Sequence, residues 1–186
     1  MTDATETLWS GRFLEIRRRD GWEWAARRGE VRAAVILAIH DGAVILVEQD
    51  RIPLGCRSLE LPAGLVGDDA DAETPKTAAA RELEEETGWR AARVEALGIF
   101  ASSPGMTSET FTLVRATGLT RVGAGGGVAG ERIAVHAVPL AELTAFVAAR
   151  RAAGVAIDAR LLLVLASTLT SHDRLMSVRA GRSAPA

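Results

Sequence analysis

Four glutamates crowd into five consecutive positions of a segment with a helical pattern, at Glu82, Glu84, Glu85 and Glu86. Like charges three or four residues apart destabilise a helix, so this crowding indicates a function that benefits from it. Glu82 and Glu86 are one helical turn apart and share a face, with Glu85 close beside them. Carboxylates gathered on one face of a rigid element suit a hard divalent cation such as Mg²⁺.

The composition restricts the kind of protein that this chain can be. Its 186 residues, 48% of them hydrophobic, are enough for one domain with a buried core. The net charge of −2 gives no basic field for nucleic acid or a membrane surface. The single cysteine, Cys56, excludes an internal disulfide and is interpreted as structural. No apolar run approaches the ~20 residues that span a bilayer, so we expect a cytoplasmic protein without nucleic-acid or membrane partners.

Most of the remaining chain has strand character. Alternating or β-branched apolar runs predict seven strands, at residues 13–18, 21–28, 33–40, 43–49, 93–101, 109–116 and 132–139. Between the third and the fourth of these runs stands Asp41-Gly42, a strong signal for a tight hairpin.

The acidic helix is predicted over residues 75–86. Thr74 suits its N-cap, and Pro75 suits its first position because proline has no N–H to leave unpaired there. Two more helices are predicted at 139–150 and 158–170. Strands, a helix, further strands and then helices indicate an α+β sandwich rather than a regularly alternating parallel sheet.

A longer pattern with fixed spacing surrounds the acidic helix. From Gly67 to Trp89 the chain reads Gly-x5-Glu-x7-Arg-Glu-Leu-x-Glu-Glu-x-Gly-Trp. This pattern resembles the Nudix box at all nine of its fixed positions. The resemblance implies a Nudix-like α/β/α sandwich with a mixed sheet, preceded by an N-terminal antiparallel strand segment.

The resemblance also implies a reaction and a metal site. Nudix enzymes hydrolyse nucleoside diphosphates linked to another group, using Mg²⁺ or Mn²⁺. Cations that bridge diphosphate oxygens neutralise the charge that develops in the transition state. By resemblance, Glu82 and Glu86 are the principal metal ligands, Glu85 lies close to the metal or its water, and the backbone carbonyl of Ala63 adds an oxygen.

Two further box residues are expected to brace the site. By resemblance, Glu73 and Arg81 form an ion pair that holds the loop against the helix, so Arg81 is not a catalytic residue. Gly67 has the literal box spacing, but Gly64 in Leu-Pro-Ala-Gly matches the family better on both sides. We therefore interpret Gly64 as the structural equivalent, with a three-residue insertion in the loop before Glu73.

The segments 47–51 and 59–64, Val-Glu-Gln-Asp-Arg and Leu-Glu-Leu-Pro-Ala-Gly, resemble those of the ADP-ribose diphosphatases within this family. In those enzymes the arginine, Arg51 here, binds a substrate phosphate. A guanidinium suits that role because its planar fork makes paired hydrogen bonds to phosphate oxygens. The alternative for Arg51 is a loop arginine that faces solvent.

A second segment also resembles the ADP-ribose branch. Pro104 stands sixteen residues beyond Gly88, a placement by which such members are often distinguished, and Gly105 follows it. The resemblance makes Pro104 and Gly105 substrate-binding, and Glu109 a ligand of the substrate or of a water on the metal. The alternative for Pro104 is a proline that merely ends a strand.

The same resemblance indicates a catalytic base. In this branch a glutamate on a mobile loop before a strand takes that role, and Glu131 stands at the matching distance from 133–136. The glycines at 123, 125, 126, 127 and 130 give the freedom that a closing loop needs. Glu85 is the alternative base. His136 is interpreted as a strand residue outside the site.

Tryptophans in the N-terminal segment indicate a dimer. In ADP-ribose diphosphatases this segment packs across a dimer and supplies an aromatic surface for adenine, worth about 1–3 kcal/mol of stacking. Trp9 resembles the aromatic start of that segment. Trp22 is the candidate for base stacking, although Trp22 and Trp24 could equally be buried in an interface. We expect residues 1–30 to mediate a homodimer.

Together these resemblances predict a Nudix hydrolase domain over residues 31–172 and a disordered tail at 173–186. The predicted reaction is the cleavage of ADP-ribose to AMP and ribose 5-phosphate. Another nucleotide sugar or a dinucleotide, such as GDP-mannose or NADH, is the alternative substrate. A sensor that binds ADP-ribose without turnover is the alternative class. Such sensors usually carry a damaged box, whereas Glu82, Glu85 and Glu86 are all present here.

Overall fold

The computed structural model describes residues 4–67, 73–128 and 131–169. The tail predicted at 173–186 lies outside these ranges, as do residues 68–72, where most of the predicted insertion falls. No helix in the described ranges is long and apolar enough to cross a membrane. The cytoplasmic placement stays a prediction.

Within these ranges the chain forms eleven strands and three α-helices. In chain order they are β1 (Glu6–Ser10), β2 (Leu14–Arg19), β3 (Trp22–Arg27), β4 (Arg32–His40), β5 (Ala43–Arg51), β6 (Cys56–Glu60), β7 (Ala63–Val66), α1 (Pro75–Thr87), β8 (Trp89–Ala101), β9 (Thr110–Arg121), β10 (Ala134–Pro139), α2 (Leu143–Ala152), β11 (Ala156–Ile157) and α3 (Leu162–Leu169). Every predicted strand and helix has a counterpart, and β1, β6, β7 and β11 are additional.

The start of α2 corrects the predicted helix at 139–150. Pro139 is the last residue of β10 and pairs with Ala43 of β5, so the chain is still extended there. A proline at the end of a strand removes only one ladder hydrogen bond. The helix begins four residues later, at Leu143.

The larger sheet is mixed and lies between helices. Its strands run β11-β6-β5-β4-β9-β8, with β10 beside β5 and β7 beside β4. β4 is antiparallel to β5 and β7 but parallel to β9. α1 covers one face of this sheet, and α2 and α3 cover the other. With the separate antiparallel sheet β1-β2-β3, this confirms the predicted α/β/α sandwich and N-terminal strand segment.

The two cores follow from the alternation of side chains along β4. Ala34 and Ile36 are fully buried on the side of α1, where they join Leu83. Val35 points the other way and belongs to the core that contains Leu143 of α2. A period of two is what a central strand with two covered faces requires. The face of α1 that carries Leu83 is therefore fixed, and its acidic residues are oriented with it.

Local sequence signals fix both ends of α1. The Thr74 hydroxyl accepts a hydrogen bond from the N–H of Thr77 at 3.2 Å, as expected of an N-cap. At the other end Gly88 adopts a left-handed conformation, with φ 71°, and its N–H donates to the Glu84 carbonyl at 2.8 Å. Glycine is favoured there because it has no Cβ to strain this conformation.

The N-terminal sheet meets the rest of the chain through β3. The N–H of Ala25 donates to the Met106 carbonyl at 3.0 Å, and the N–H of Ser108 donates to the Ala25 carbonyl at 3.1 Å. Three large aromatic side chains of this region remain mostly exposed: Trp9 (58%), Phe13 (65%) and Trp22 (65%).

A completely buried carboxylate, that of Glu48, ties several elements of the sandwich together. Arg150 of α2 donates to Glu48 Oε1 at 2.6 Å, and Arg57 Nη1 of β6 lies 3.0 Å from the same oxygen. His136 Nε2 of β10 lies 3.2 Å from Oε2. Burial raises the pKa of Glu48, but the hydrogen bond and charge of Arg150 and the charge of Arg57 outweigh it. The pKa of this carboxyl therefore lies below its ordinary value.

Replacing Glu48 with alanine is expected to lower the free energy of unfolding by about 3 kcal/mol, because two guanidinium groups lose their buried counter-charge. Urea denaturation measures this directly. Because the folded pKa is depressed, the contribution is complete above the unfolded pKa and is lost as the pH falls through the folded one. The excess destabilisation should therefore shrink in strong acid. Glu95→Ala, which breaks the surface pair with Arg115, is the control and should change stability little.

Candidate active site

The end of α1 meets the start of β7 at Glu86. This side chain is 6% exposed, and its Oε2 accepts a hydrogen bond from the N–H of Ala63 at 3.1 Å. Ala63 pairs with Val35 of the central strand, and the preceding Pro62 carbonyl accepts from the N–H of Ile36 at 2.8 Å. A rigid peptide therefore stands beside the acidic helix, which puts two of the predicted metal ligands next to each other.

Gly64 leaves the space that the side chain of Glu82 occupies. A Cβ added to Gly64 would lie 2.0 Å from Cγ and Cδ of Glu82 and 2.2 Å from its Oε1. Gly67 has open space around its Cα and instead donates its N–H to Glu73 Oε2 at 3.0 Å. The close approach at Gly64 supports its interpretation as the structural equivalent of the box glycine.

Gly64→Ala is expected to lower the predicted hydrolytic activity about 100-fold, because the added methyl group displaces the Glu82 carboxylate by an ångström or more. Steady-state kinetics with a saturating divalent cation would measure the loss. Gly67→Ala provides the contrast: with φ +96° it strains the backbone and lowers stability, yet leaves the Glu82 position free. Equal loss of activity in both variants would contradict this assignment.

Arg81 is bonded to three carboxylates. Its Nε donates to Glu73 Oε1 at 3.3 Å, which is the predicted brace between loop and helix. Its Nη1 donates to Glu82 Oε1 at 2.9 Å and to Glu85 Oε2 at 3.0 Å. The guanidinium thus braces the loop through Glu73 and also supplies positive charge among Glu82, Glu85 and Glu86, which together form the acidic cluster.

The acidic cluster favours a cation. Burial raises the pKa of Glu86 to about 8, and the charges of Glu82 and Glu131 act in the same direction. Burial also raises the pKa of Glu82, with the charges of Glu85 and Glu131 adding to it. Carboxylates that repel one another out of water gain strongly from a nearby positive charge.

The donors fit a hard divalent ion by their chemistry. Glu82, Glu85, Glu86 and the Ala63 carbonyl offer oxygen alone, the atom that Mg²⁺ and Mn²⁺ prefer. Among the described residues, no three His, Cys, Asp or Glu side chains are already arranged to hold an ion. Arg81 holds Glu82 and Glu85 instead, so a cation would compete with this guanidinium for the same carboxylates.

Glu131 lies near the cluster although it is 45 residues beyond Glu86. Its charge acts on both Glu82 and Glu86, and its own side chain is exposed. Its Oε2 accepts a hydrogen bond from the N–H of Val128 at 3.0 Å, within the same loop. Gly127 of that loop donates its N–H to the Glu85 carbonyl at 3.0 Å, so the structure places the loop that carries Glu131 on the acidic helix.

The glycine-rich loop before Glu131 is docked on the end of α1. The N–H groups of Gly126 and Gly127 donate to the carbonyls of Glu86 and Glu85, at 2.8 and 3.0 Å. These bonds satisfy carbonyls that the last helical turn leaves without partners. A Cβ on Gly125 would lie 2.4 Å from the Thr87 carbonyl carbon, so glycine is required there. Residues 125–127 therefore serve close packing on α1, and the loop motion predicted from these glycines stays a prediction.

Arg51 is held by a carboxylate that the sequence analysis did not single out. Its Nε and Nη2 donate to Oε1 and Oε2 of Glu60, at 2.7 and 2.5 Å. Glu60 is 2% exposed, whereas the Arg51 side chain is 41% exposed. An acidic residue between Leu59 and Leu61 was the available signal, since a buried carboxylate needs a cationic partner.

Among the described residues, the hydrogen-bond partners of the Glu109 side chain lie outside the acidic helix. Its Oε1 accepts a hydrogen bond from Arg27 Nε at 2.8 Å, and the Ser102 hydroxyl lies 3.2 Å from its Oε2. Ser102 and Glu109 help to line a cavity of about 430 Å³, together with Arg160. The structure thus gives Glu109 an ion-pair partner on the N-terminal sheet that the sequence did not reveal.

Trp22, Pro104 and Gly105 come together in another cavity, of about 520 Å³. Trp24 also lines it, so two tryptophans from β3 face the loop that carries Pro104. None of the described residues that line this cavity belongs to α1. Three of the predicted substrate-binding residues therefore share one surface, separate within a single chain from the acidic cluster.

A family model for the NUDIX domain matches residues 29–159, which include the box and Glu131. The methanol dehydrogenase activator of Bacillus methanolicus is 36% identical over 127 residues, 64% of this chain and 67% of that protein. The ADP-ribose pyrophosphatase of Mycobacterium tuberculosis is 37% identical over 129 residues, 66% of this chain and 61% of that protein.

Two further similarities carry less weight, the first because it covers less of the chain and the second because its sequence identity is lower. The ADP-sugar pyrophosphatase of Mus musculus is 42% identical over 79 residues, 42% of this chain and 35% of that protein. The chain thus spans less than two thirds of the length of both pyrophosphatases. A solved structure of an ADP compounds hydrolase superposes with a TM-score of 0.68 at 21% identity, covering 91% of this chain and 93% of that one. This last similarity supports the fold.

Proposed function

The chain belongs to the Nudix family, and we propose that within this family it is an ADP-ribose diphosphatase, which cleaves ADP-ribose to AMP and ribose 5-phosphate. Water attacks one phosphorus atom, the P–O bond to the bridging oxygen breaks, and two phosphate monoesters result. The similarity to enzymes named for ADP-ribose and ADP-sugars supports this substrate over the alternatives GDP-mannose and NADH.

The acidic cluster is the proposed metal site. Glu82, Glu86 and the Ala63 carbonyl are its proposed ligands, with Glu85 beside them and Mg²⁺ or Mn²⁺ as the ion. When bound, such an ion stabilises the charge that develops on the diphosphate oxygens. The burial of Glu86 and the absence of nitrogen or sulfur donors from this set support the assignment.

Glu131 is the proposed general base, which takes a proton from the attacking water. Arg81 donates a hydrogen bond to Glu85 Oε2 at 3.0 Å, so that oxygen already has a charged partner. Glu131 accepts a backbone hydrogen bond, and no guanidinium contacts it in the described residues. This contrast favours Glu131 over Glu85, which remains the alternative.

The proposed substrate-binding residues lie outside α1. Arg51 binds a phosphate of the diphosphate, since it is half exposed and held in one orientation by Glu60. Pro104, Gly105 and Glu109 contact the remainder of the substrate, and Trp22 stacks on the adenine.

We propose that residues 1–30 bring two copies of the chain together as a homodimer. The exposed aromatic side chains of the N-terminal sheet support an interface there. Within one chain, the cavity at Trp22 is separate from the acidic cluster. A second copy could supply its aromatic surface to the cluster of the first, and together they would form a complete site.

The observation that carries the proposed function is the meeting of three distant segments at one acidic site. The helix carries Glu82 and Glu86, the start of β7 brings the Ala63 backbone to Glu86, and the loop that carries Glu131 docks on the helix through Gly126 and Gly127. Ordinary solvated glutamates would not be buried against a rigid backbone in this way.

A substrate panel tests the proposed function. Purified protein with Mg²⁺ is expected to have a higher kcat/KM for ADP-ribose than for GDP-mannose or NADH. A preference for one of the latter two would keep the Nudix chemistry but replace the substrate. No turnover of any of the three, with intact binding of ADP-ribose, would favour a sensor.

A further inference from the structure

Arg51, Glu60, Arg160 and Asp158 form a chain of alternating charges at one end of the sheet. Arg51 ends β5 and Glu60 ends β6, whereas Asp158 and Arg160 lie at the start of the short helix that leads into α3. Glu60 accepts both hydrogen bonds from Arg51, and Arg160 Nη2 lies 3.8 Å from Glu60 Oε2. Two cations thus share one buried carboxylate.

Arg160 is itself fixed by Asp158. The Arg160 Nε lies 2.8 Å from Oδ1 and 3.0 Å from Oδ2 of Asp158, and Nη2 donates to Oδ2 as well. The backbone N–H of Arg160 donates to Oδ1 at 2.7 Å, so Asp158 also caps the short helix. The guanidinium lies over the ring of Phe111, 5.9 Å from its centre. These contacts leave Arg160 with one orientation.

One nitrogen of Arg51 is left available. Glu60 uses Nε and Nη2, and the described residues provide no hydrogen-bond partner for Nη1. With 41% of the side chain exposed, Nη1 can donate to an anionic ligand while the opposite edge of the guanidinium stays fixed. A guanidinium fixed beforehand loses less freedom when the ligand binds.

We propose that Arg160 is a positioning residue for substrate binding, which occupies Asp158 so that Arg51 keeps its free edge for a phosphate. This inference rests on the proposed function, in which Arg51 binds the diphosphate. Asp158 stands beside Glu60, since its N–H donates to the carbonyl of the neighbouring Leu59 at 3.0 Å. Without Arg160, both Asp158 and Glu60 would attract Arg51, whose Nη1 would turn from the ligand toward the second carboxylate.

A double-mutant cycle on binding tests this inference. The probe is α,β-methylene ADP, a diphosphate analogue that resists hydrolysis because CH₂ replaces its bridging oxygen, titrated with Mg²⁺ by calorimetry into the full chain. Arg160→Met is expected to raise the Kd about tenfold, the size of one charge-assisted hydrogen bond. In an Arg51→Met background the same change should raise the Kd less than about twofold, because its effect passes through Arg51.

Kinetics and a conservative variant separate positioning from a loss of structure. Arg160→Met should raise KM for ADP-ribose by about the same factor and leave kcat within about twofold, as expected for a group that affects ground-state binding. Arg160→Lys keeps the charge but not the paired contact with Asp158, so its Kd should be intermediate. Arg115→Met breaks the surface pair with Glu95 and is the matched control.

The outcomes distinguish this inference from the proposed function. If the cycle behaves as expected but ADP-ribose is not hydrolysed, the positioning role stands and the substrate assignment fails. If ADP-ribose is hydrolysed but Arg160→Met weakens binding equally with and without Arg51, the inference is overturned. An unchanged Kd in Arg160→Met, or wild-type affinity in Arg51→Met, overturns it as well. If Arg160→Met does not fold, the cycle is run with Arg160→Lys.

Discussion

Glu86→Gln is expected to lower kcat for ADP-ribose hydrolysis at least about 1,000-fold, because a neutral amide neither binds Mg²⁺ as a carboxylate does nor offsets its charge. The fold should survive. Glutamine has the same shape, and its side-chain oxygen can still accept the hydrogen bond from Ala63. Since Glu86 is buried among other carboxylates, removal of its charge should leave Tm unchanged or higher.

The measurements for Glu86→Gln are single-turnover hydrolysis, Mg²⁺ titration and thermal denaturation. Glu84→Gln is the matched control, since Glu84 lies on the same helix but pairs with Arg90 through bonds of 2.8 and 2.7 Å. Its activity should stay within about twofold of wild type, as for other exposed ion pairs. A near wild-type kcat in Glu86→Gln would contradict the assignment of Glu86 as a metal ligand.

Glu131→Gln is expected to lower kcat by about 100- to 10,000-fold, the usual contribution of a general base. The physical reason is that glutamine cannot accept the proton of the attacking water. Its amide can still take the loop hydrogen bond from Val128, so the loop should keep its conformation. Affinity for Mg²⁺ should change much less than kcat.

Glu85→Gln is the comparison that separates the two candidate bases. If Glu131 is the base, Glu85→Gln should retain more activity than Glu131→Gln. Steady-state kcat of the two variants, measured side by side under the same conditions, compares them directly. If Glu131→Gln keeps near wild-type kcat while Glu85→Gln is inactive, Glu85 and not Glu131 is the general base.

Signals that act over a few residues could be predicted from the sequence. The hairpin at Asp41-Gly42 forms as expected, with positive φ of 47° and 74° at its two central residues. The ends of α1 follow from Thr74 and Gly88 for the same reason, since each satisfies backbone groups of the adjacent turn. The spacing of Glu82 and Glu86 then fixes which carboxylates share a face.

Contacts that depend on the tertiary fold could not be predicted. The dependence of Arg51 on Glu60 requires the pairing of β5 with β6, which no local pattern specifies. The docking of the glycine-rich loop on α1 joins residues about 40 positions apart. A run of glycines in the sequence is compatible with loop motion as well as with close packing, because glycine has no side chain. The ion pair of Glu109 with Arg27 links the larger sheet to the N-terminal sheet, and no local sequence pattern indicates it.

The most direct test of the proposed function is the formation of AMP from ADP-ribose by the purified chain at increasing Mg²⁺ concentration. We expect equal amounts of AMP and ribose 5-phosphate, at a rate that saturates with Mg²⁺, falls to background with a chelator and returns when Mg²⁺ is restored. No AMP at any Mg²⁺ or Mn²⁺ concentration, from protein shown to be folded, would contradict it.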